Sequence, residues 1–150
     1  MTAEEFKKII EFAISNEIEA YNFYQGVSKR TKDADLKQTF AELAGEEKEH
    51  RRFLEGFTTL SRPMHFDAVQ DYKVSRTIDK PKLSLTMKPA EAIALAVKNE
   101  EEAMDMYSRM AGLSTDAEQK KMFQSLATME QQHKVRLEEL FTGMAFPEVW

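Results

Sequence analysis

Residues 10–58 of this chain can be laid on residues 93–141 without a gap, and the two copies agree at helical spacing. Ile10, Ala13, Asn16, Glu17, Ala20 and Tyr24 recur as Ile93, Ala96, Asn99, Glu100, Ala103 and Tyr107. Phe40, Leu43, Ala44, Glu47, His50 and Leu54 recur as Phe123, Leu126, Ala127, Glu130, His133 and Leu137. A repeat of this length is one supersecondary unit. It cannot bury its apolar face alone, so the two copies must pack on each other.

Each copy reads as a helical hairpin. Four segments, roughly 3–30, 33–58, 89–112 and 115–141, carry helical periodicity. The polar breaks Thr31-Lys32-Asp33 and Ser114-Thr115-Asp116 have the composition of tight turns that end in N-caps. Between the hairpins lie residues 59–88, with two prolines and no sustained period. A connection this long needs a purpose in a compact domain, and crossing the length of a bundle is a sufficient one. The expected architecture is all-α: one domain over 1–150, built from hairpins 3–58 and 89–141 joined by a crossover at 59–88.

The inward stripes carry the chemistry. Steps of three and four select Ile10, Ala13, Glu17, Ala20, Tyr24 and Val27 on the first helix. On the second they select Phe40, Leu43, Glu47, His50, Leu54 and Phe57. The third gives Ile93, Ala96, Glu100, Ala103, Tyr107 and Met110; the fourth gives Phe123, Leu126, Glu130, His133, Leu137 and Leu140. Such spacing holds each set on one narrow face, the seam of a four-helix bundle. Six ionisable groups therefore stand where apolar residues belong: Glu17, Glu47, His50, Glu100, Glu130 and His133. Folding each hairpin so that its lone glutamate faces its Glu-x-x-His pair puts the bends near 33 and 116, where the turn signals stand.

Carboxylates gathered in an apolar core cannot all stay ionised, because desolvation and mutual repulsion both oppose charge. Two divalent cations would neutralise four glutamates and take the imidazoles as neutral donors. The chain has no cysteine, so metal must be held by oxygen and nitrogen, a donor set that suits iron or manganese and admits zinc. Carboxylates can bridge two metals ~3.5–4 Å apart. The pattern predicts a dimetal site.

At these residues the sequence resembles the ferritin-like superfamily, and most of all its rubrerythrin-like branch. The family pattern E-x-x-A-x-x-x-Y stands here as EIEAYNFY (17–24) and EEEAMDMY (100–107), and E-x-x-H as EKEH (47–50) and EQQH (130–133). The resemblance implies a four-helix bundle with a left-handed crossover and a non-haem di-iron centre. It makes Glu17 and Glu100 terminal ligands, Glu47 and Glu130 bridging ligands, and His50 and His133 ligands of one metal each. Full-length rubrerythrins add a cysteine-ligated rubredoxin domain that delivers electrons; this chain lacks the cysteines, so its reductant has to be external. Classical rubrerythrins also carry a further glutamate where this chain has Ala103. The symmetric ligand set is equally similar to the ferroxidase centre of bacterioferritin.

The expected function is reduction of hydrogen peroxide by two iron ions, with electrons from an external donor protein. Ferroxidase activity or iron storage, with dioxygen as oxidant, is the alternative; a non-enzymatic metal-binding module is the third. The four glutamates act as metal ligands in these readings. Tyr24 and Tyr107 stand behind them, with core packing and a satisfied hydroxyl as the first expectation and a bond to a ligand carboxylate, or an electron relay, as the second. Asn16 and Asn99 hint at a supporting contact to the ligands. Glu19, Glu46, Glu49, Glu101 and Glu102 are off phase and read as solvated. His65 has no partner at ligand spacing.

The net charge of −5 leaves no basic stripe for nucleic acid. No apolar run approaches the ~20 residues of a membrane span, and the N-terminus MTAEEFKKII has no apolar signal region. A cytoplasmic protein, as a homo-oligomer and first of all a dimer, is expected.

Overall fold

The computed structural model describes residues 3–57, 86–87 and 89–143. Among the described residues there are four helices: α1 (Ala3–Arg30), α2 (Ala34–Glu55), α3 (Pro89–Leu113) and α4 (Ala117–Gly143). No strand occurs among the described residues. The crossover expected at 59–88 and His65 lie outside them, apart from a turn at Thr86 and Met87.

The turns form as their residue types dictate. Asp33 has an extended backbone, and its carboxylate accepts from the amides of Asp35 (2.9 Å) and Leu36 (3.0 Å). Asp116 accepts from the Gln119 amide at 2.8 Å. These are N-cap bonds, which satisfy amides that the first helical turn leaves without partners. They move the starts of α2 and α4 one or two residues past the sequence expectation, because a capping residue lies outside the helix it caps. At its other end α2 stops at Glu55, short of the expected 58.

The hairpins stack with their ends exchanged. One apolar cluster joins Ile9, Ile10 and Ala13 of α1 to Leu54 of α2, Tyr107 and Met110 of α3, and Phe123 and Leu126 of α4. The other joins Tyr24 and Val27 of α1 to Phe40 and Leu43 of α2, Ile93 and Ala96 of α3, and Leu137 of α4. Thus α1 runs antiparallel to both α2 and α3 and parallel to α4. A two-fold axis across the bundle relates the halves, as the repeat requires. Close backbone approach is made within each hairpin; between hairpins, side chains fill the space.

Twenty of the 24 stripe residues are buried, and the exceptions are Ala20, Phe57, Ala103 and Leu140. Each large apolar side chain so buried contributes about 1.5–3 kcal/mol. Between the two apolar clusters sits a polar layer: Glu17, Glu47, His50, Glu100, Glu130 and His133 are all at most 3% exposed.

Candidate metal centre

The polar layer is assembled from all four helices. Glu17 comes from α1, Glu47 and His50 from α2, Glu100 from α3, and Glu130 and His133 from α4. Two groups of donor atoms form, one from Glu17, Glu47, His50 and Glu130 and the other from Glu47, Glu100, Glu130 and His133. Within each group the atoms lie within 4.8 Å of one another. Glu47 and Glu130 belong to both. Two ions placed in these groups would therefore share two carboxylates, while each kept one glutamate and one histidine to itself.

Both imidazoles turn Nδ1 toward the carboxylates. The Nδ1 of His50 is 2.7 Å from Glu130 Oε1, 3.6 Å from Glu17 Oε2 and 3.8 Å from Glu47 Oε2. The Nδ1 of His133 is 2.7 Å from Glu47 Oε1, 3.7 Å from Glu100 Oε2 and 3.6 Å from Glu130 Oε2. The rings stack across the axis, with centroids 5.7 Å apart and planes 14° from parallel. The His133–Glu47 contact is short but not aligned as a hydrogen bond. Among the described residues, buried Glu17 Oε2, Glu47 Oε1, Glu100 Oε2 and His133 Nδ1 all lack a hydrogen-bond partner. Native interiors rarely leave such atoms unsatisfied unless an ion or water takes them. All four belong to the clustered residues, so the donor set fits divalent cations.

Without cations, protons carry the charge balance. Burial, and then the charges of Glu130 and Glu17, push the Glu47 carboxyl well above its usual range. Burial works the other way on His50, but its bond to Glu130 and the nearby Glu17 carboxylate outweigh it and raise the imidazole to about 9. His133 is raised likewise, burial being outweighed by Glu130 and Glu46. Burial would raise Glu130 too, yet the nearby His133 imidazole and the bond from His50 bring it down. Protons shared in this way are the ones a bound cation displaces.

The tyrosines pack in the core with satisfied hydroxyls, as first expected, and the partner of each hydroxyl is the carboxylate of the second expectation. Tyr24 donates to Glu100 Oε1 at 2.5 Å, and Tyr107 donates to Glu17 Oε1. Each tyrosine thus holds the lone glutamate of the other hairpin. Helical side chains lean toward their own N-terminus, so a tyrosine two turns past Glu17 or Glu100 reaches back into the polar layer. What it meets there is the facing hairpin. Burial, and then the nearby carboxylates, push the Tyr24 hydroxyl up, which keeps it a neutral donor.

Glu46 corrects the sequence expectation. It was expected in solvent from its helical phase, but it is half-buried and its Oε2 meets Nε2 of His133. Arg136 donates to both of its oxygens, at 3.1 and 3.2 Å. The available signal was a break in the repeat, since residue 129, the counterpart of 46, is methionine. Glu49 and Glu101 are exposed as expected.

A cavity of about 60 Å³ opens between α1 and α3, on the side away from the histidine-bearing helices. Glu17, Glu47, Glu100, Glu130 and Tyr24 line it, together with Asn16, Glu19, Asn99 and Glu102. Glu19 and Glu102 are therefore half-buried lining residues rather than freely solvated ones. Asn16 and Asn99 lie on the same cavity. Ala20 and Ala103, the small residues on the α1 and α3 stripes, line it too and are themselves only half-buried.

The rubrerythrin family model matches residues 8–141. No functionally curated protein is matched. A hypothetical protein from Pyrococcus furiosus has the same fold with a TM-score of 0.66 and 23% identity, over 89% of this chain and 85% of that one. A candidate ferritin-like diiron-carboxylate protein from Thermotoga maritima also has a TM-score of 0.66, with 20% identity over 91% of this chain and 94% of that one. At these identities the two structures speak for the fold alone. No helix among the described residues is long and apolar enough to cross a membrane.

Proposed function

The chain belongs to the rubrerythrin family, and from that premise we propose that it is a di-iron oxidoreductase that reduces hydrogen peroxide with electrons from an external donor. The observation that carries the reading is the pair of donor groups sharing Glu47 and Glu130, open on the α1–α3 side. Two iron ions held there, with Glu17 and His50 on one and Glu100 and His133 on the other, would supply Lewis acidity and electrons.

The protein's own part is positioning and exclusion. The tyrosines hold Glu17 and Glu100 in place, while Glu47 and Glu130 stand in both donor groups. The apolar clusters above and below keep bulk water out. A cavity of about 60 Å³ admits molecules the size of water, dioxygen or peroxide. Reducing peroxide to two waters takes two electrons and two protons. In this reading a separate protein or small molecule delivers the electrons.

Ferroxidase activity in iron handling is the second reading, and Ala103 favours it. This residue lines the cavity where classical rubrerythrins carry a further glutamate, and the remaining set is symmetric like that of bacterioferritin. The deciding experiment is anaerobic Fe(II) loading and desalting, followed by mixing with peroxide or dioxygen. Two irons per chain, oxidised faster by peroxide and re-reducible in place, support the peroxidase. Faster oxidation by dioxygen, with iron leaving as Fe(III), supports the ferroxidase. No retained iron rejects both.

A further inference from the structure

The two halves agree at every clustered donor and at the tyrosines behind the glutamates, and disagree behind the histidines. This inference rests on the reading of the six residues as metal ligands. On the α4 side, the Nε2 of His133 meets Glu46, and Glu46 is held by Arg136 through both carboxylate oxygens. Glu42 adds a weaker contact, 3.9 Å from the same guanidinium. In the other copy the counterparts of Glu46, Arg136 and Glu42 are Met129, Phe53 and Ser125. Neither methionine nor phenylalanine can reproduce the acceptor or its anchor. Accordingly His50 Nε2 is buried and without a hydrogen-bond partner among the described residues.

An imidazole that donates Nε2–H to a carboxylate is held in the tautomer whose Nδ1 lone pair faces inward. Its ring is oriented and its basicity increased, and removing such a partner typically lowers metal affinity 10–100-fold. His133 has this support, and among the described residues His50 does not. We propose that the two metal positions are inequivalent: the one built on His133 and Glu100 takes a divalent cation first and holds it more tightly. The one built on His50 and Glu17 is the weaker, exchangeable position. Glu46 is a positioning residue that acts through His133, and Arg136 aims it.

The test is an anaerobic calorimetric titration of the metal-free protein with Mn(II), which binds without redox chemistry. Wild type should show two steps whose dissociation constants differ at least tenfold. Glu46→Met, which copies the other half, should weaken the tight step 10–100-fold and bring the two steps together. Glu46→Gln keeps an acceptor oxygen and should recover part of the loss, which a purely structural role would not predict. The Glu46→Met effect should vanish in a His133→Ala background and persist in His50→Ala. Met129→Glu supplies the missing acceptor and should tighten the weak step. Two equal wild-type steps overturn the inference alone, as does a Glu46→Met effect that is absent, shared equally by both steps, or retained without His133. Absence of any Mn(II) binding overturns it together with the metal-centre reading.

Discussion

The hairpin over 3–57 and the hairpin over 89–143 present the same residues to the centre and different ones around it. Glu17 matches Glu100, Glu47 matches Glu130, His50 matches His133, and even the supporting tyrosines correspond. One contact further out the likeness ends: Glu46 and Arg136 face an imidazole in one half, against Met129 and Phe53 at the equivalent positions of the other. The difference shows where a duplicated bundle is free to vary. The inner six share one charge balance, so changing any of them strands buried charge on the rest. A residue behind this layer such as Glu46 touches one imidazole and can be altered in one copy alone.

The comparison can be broken most severely at its centre. Glu47→Ala with Glu130→Ala removes both shared carboxylates and should reduce bound iron from two per chain to near zero, as metal analysis after desalting will read. Retention of one iron would mean that each half holds metal by itself.

The apolar layers offer a second contrast. Phe123 stacks on Phe57 at 5.5 Å and meets Phe53 at 5.8 Å, whereas its counterpart Phe40 meets Tyr24 at 5.9 Å. Each change to alanine should cost about 3–5 kcal/mol in denaturant unfolding, with Phe123→Ala the larger. The reverse order would place the weaker end of the bundle at Phe123.

Protons provide a third contrast, between the metal-free and loaded protein. The folded pKa of His50 lies above its unfolded value, at about 9, so its stabilisation is complete below 6.5 and is lost as pH rises through 9. Metal-free protein should therefore melt at progressively lower temperature across that window. His50→Gln should flatten the fall, and loading with metal should tighten binding as pH rises, since cations displace those protons. A metal-free melting temperature that climbs from pH 6.5 to 9 would contradict the arrangement.

The tyrosines should behave as equals. Tyr24→Phe and Tyr107→Phe each take a donor from a buried glutamate and should cost about 1.5–3 kcal/mol with metal bound, by thermal or denaturant melting. Marked inequality would mean the asymmetry extends beyond Glu46. Smallest are the caps: Asp33→Ala and Asp116→Ala should each cost about 1 kcal/mol, and a difference between them would be a property of the turns alone.

The inner stripes were legible in the sequence because helical spacing leaves little choice. Steps of three and four put Glu17, Glu47, His50, Glu100, Glu130 and His133 on buried faces, and the turn signals at Asp33 and Asp116 set their heights. The repeat then required the halves to meet. Contacts between hairpins were a different matter, since no local rule governs them. That Tyr24 reaches Glu100 depends on α1 facing α3 in antiparallel register. Glu46 is off the stripe of its own helix, so phase alone puts it in solvent; it is drawn inward by His133 and Arg136 on α4, far away in the chain. The cavity likewise lies where two alanines, separate in sequence, line the same gap between α1 and α3. Periodicity along a helix determined which residues are buried together, and only the packing of one hairpin on the other decided which of them touch, because the angle and register of that packing are properties of no single segment.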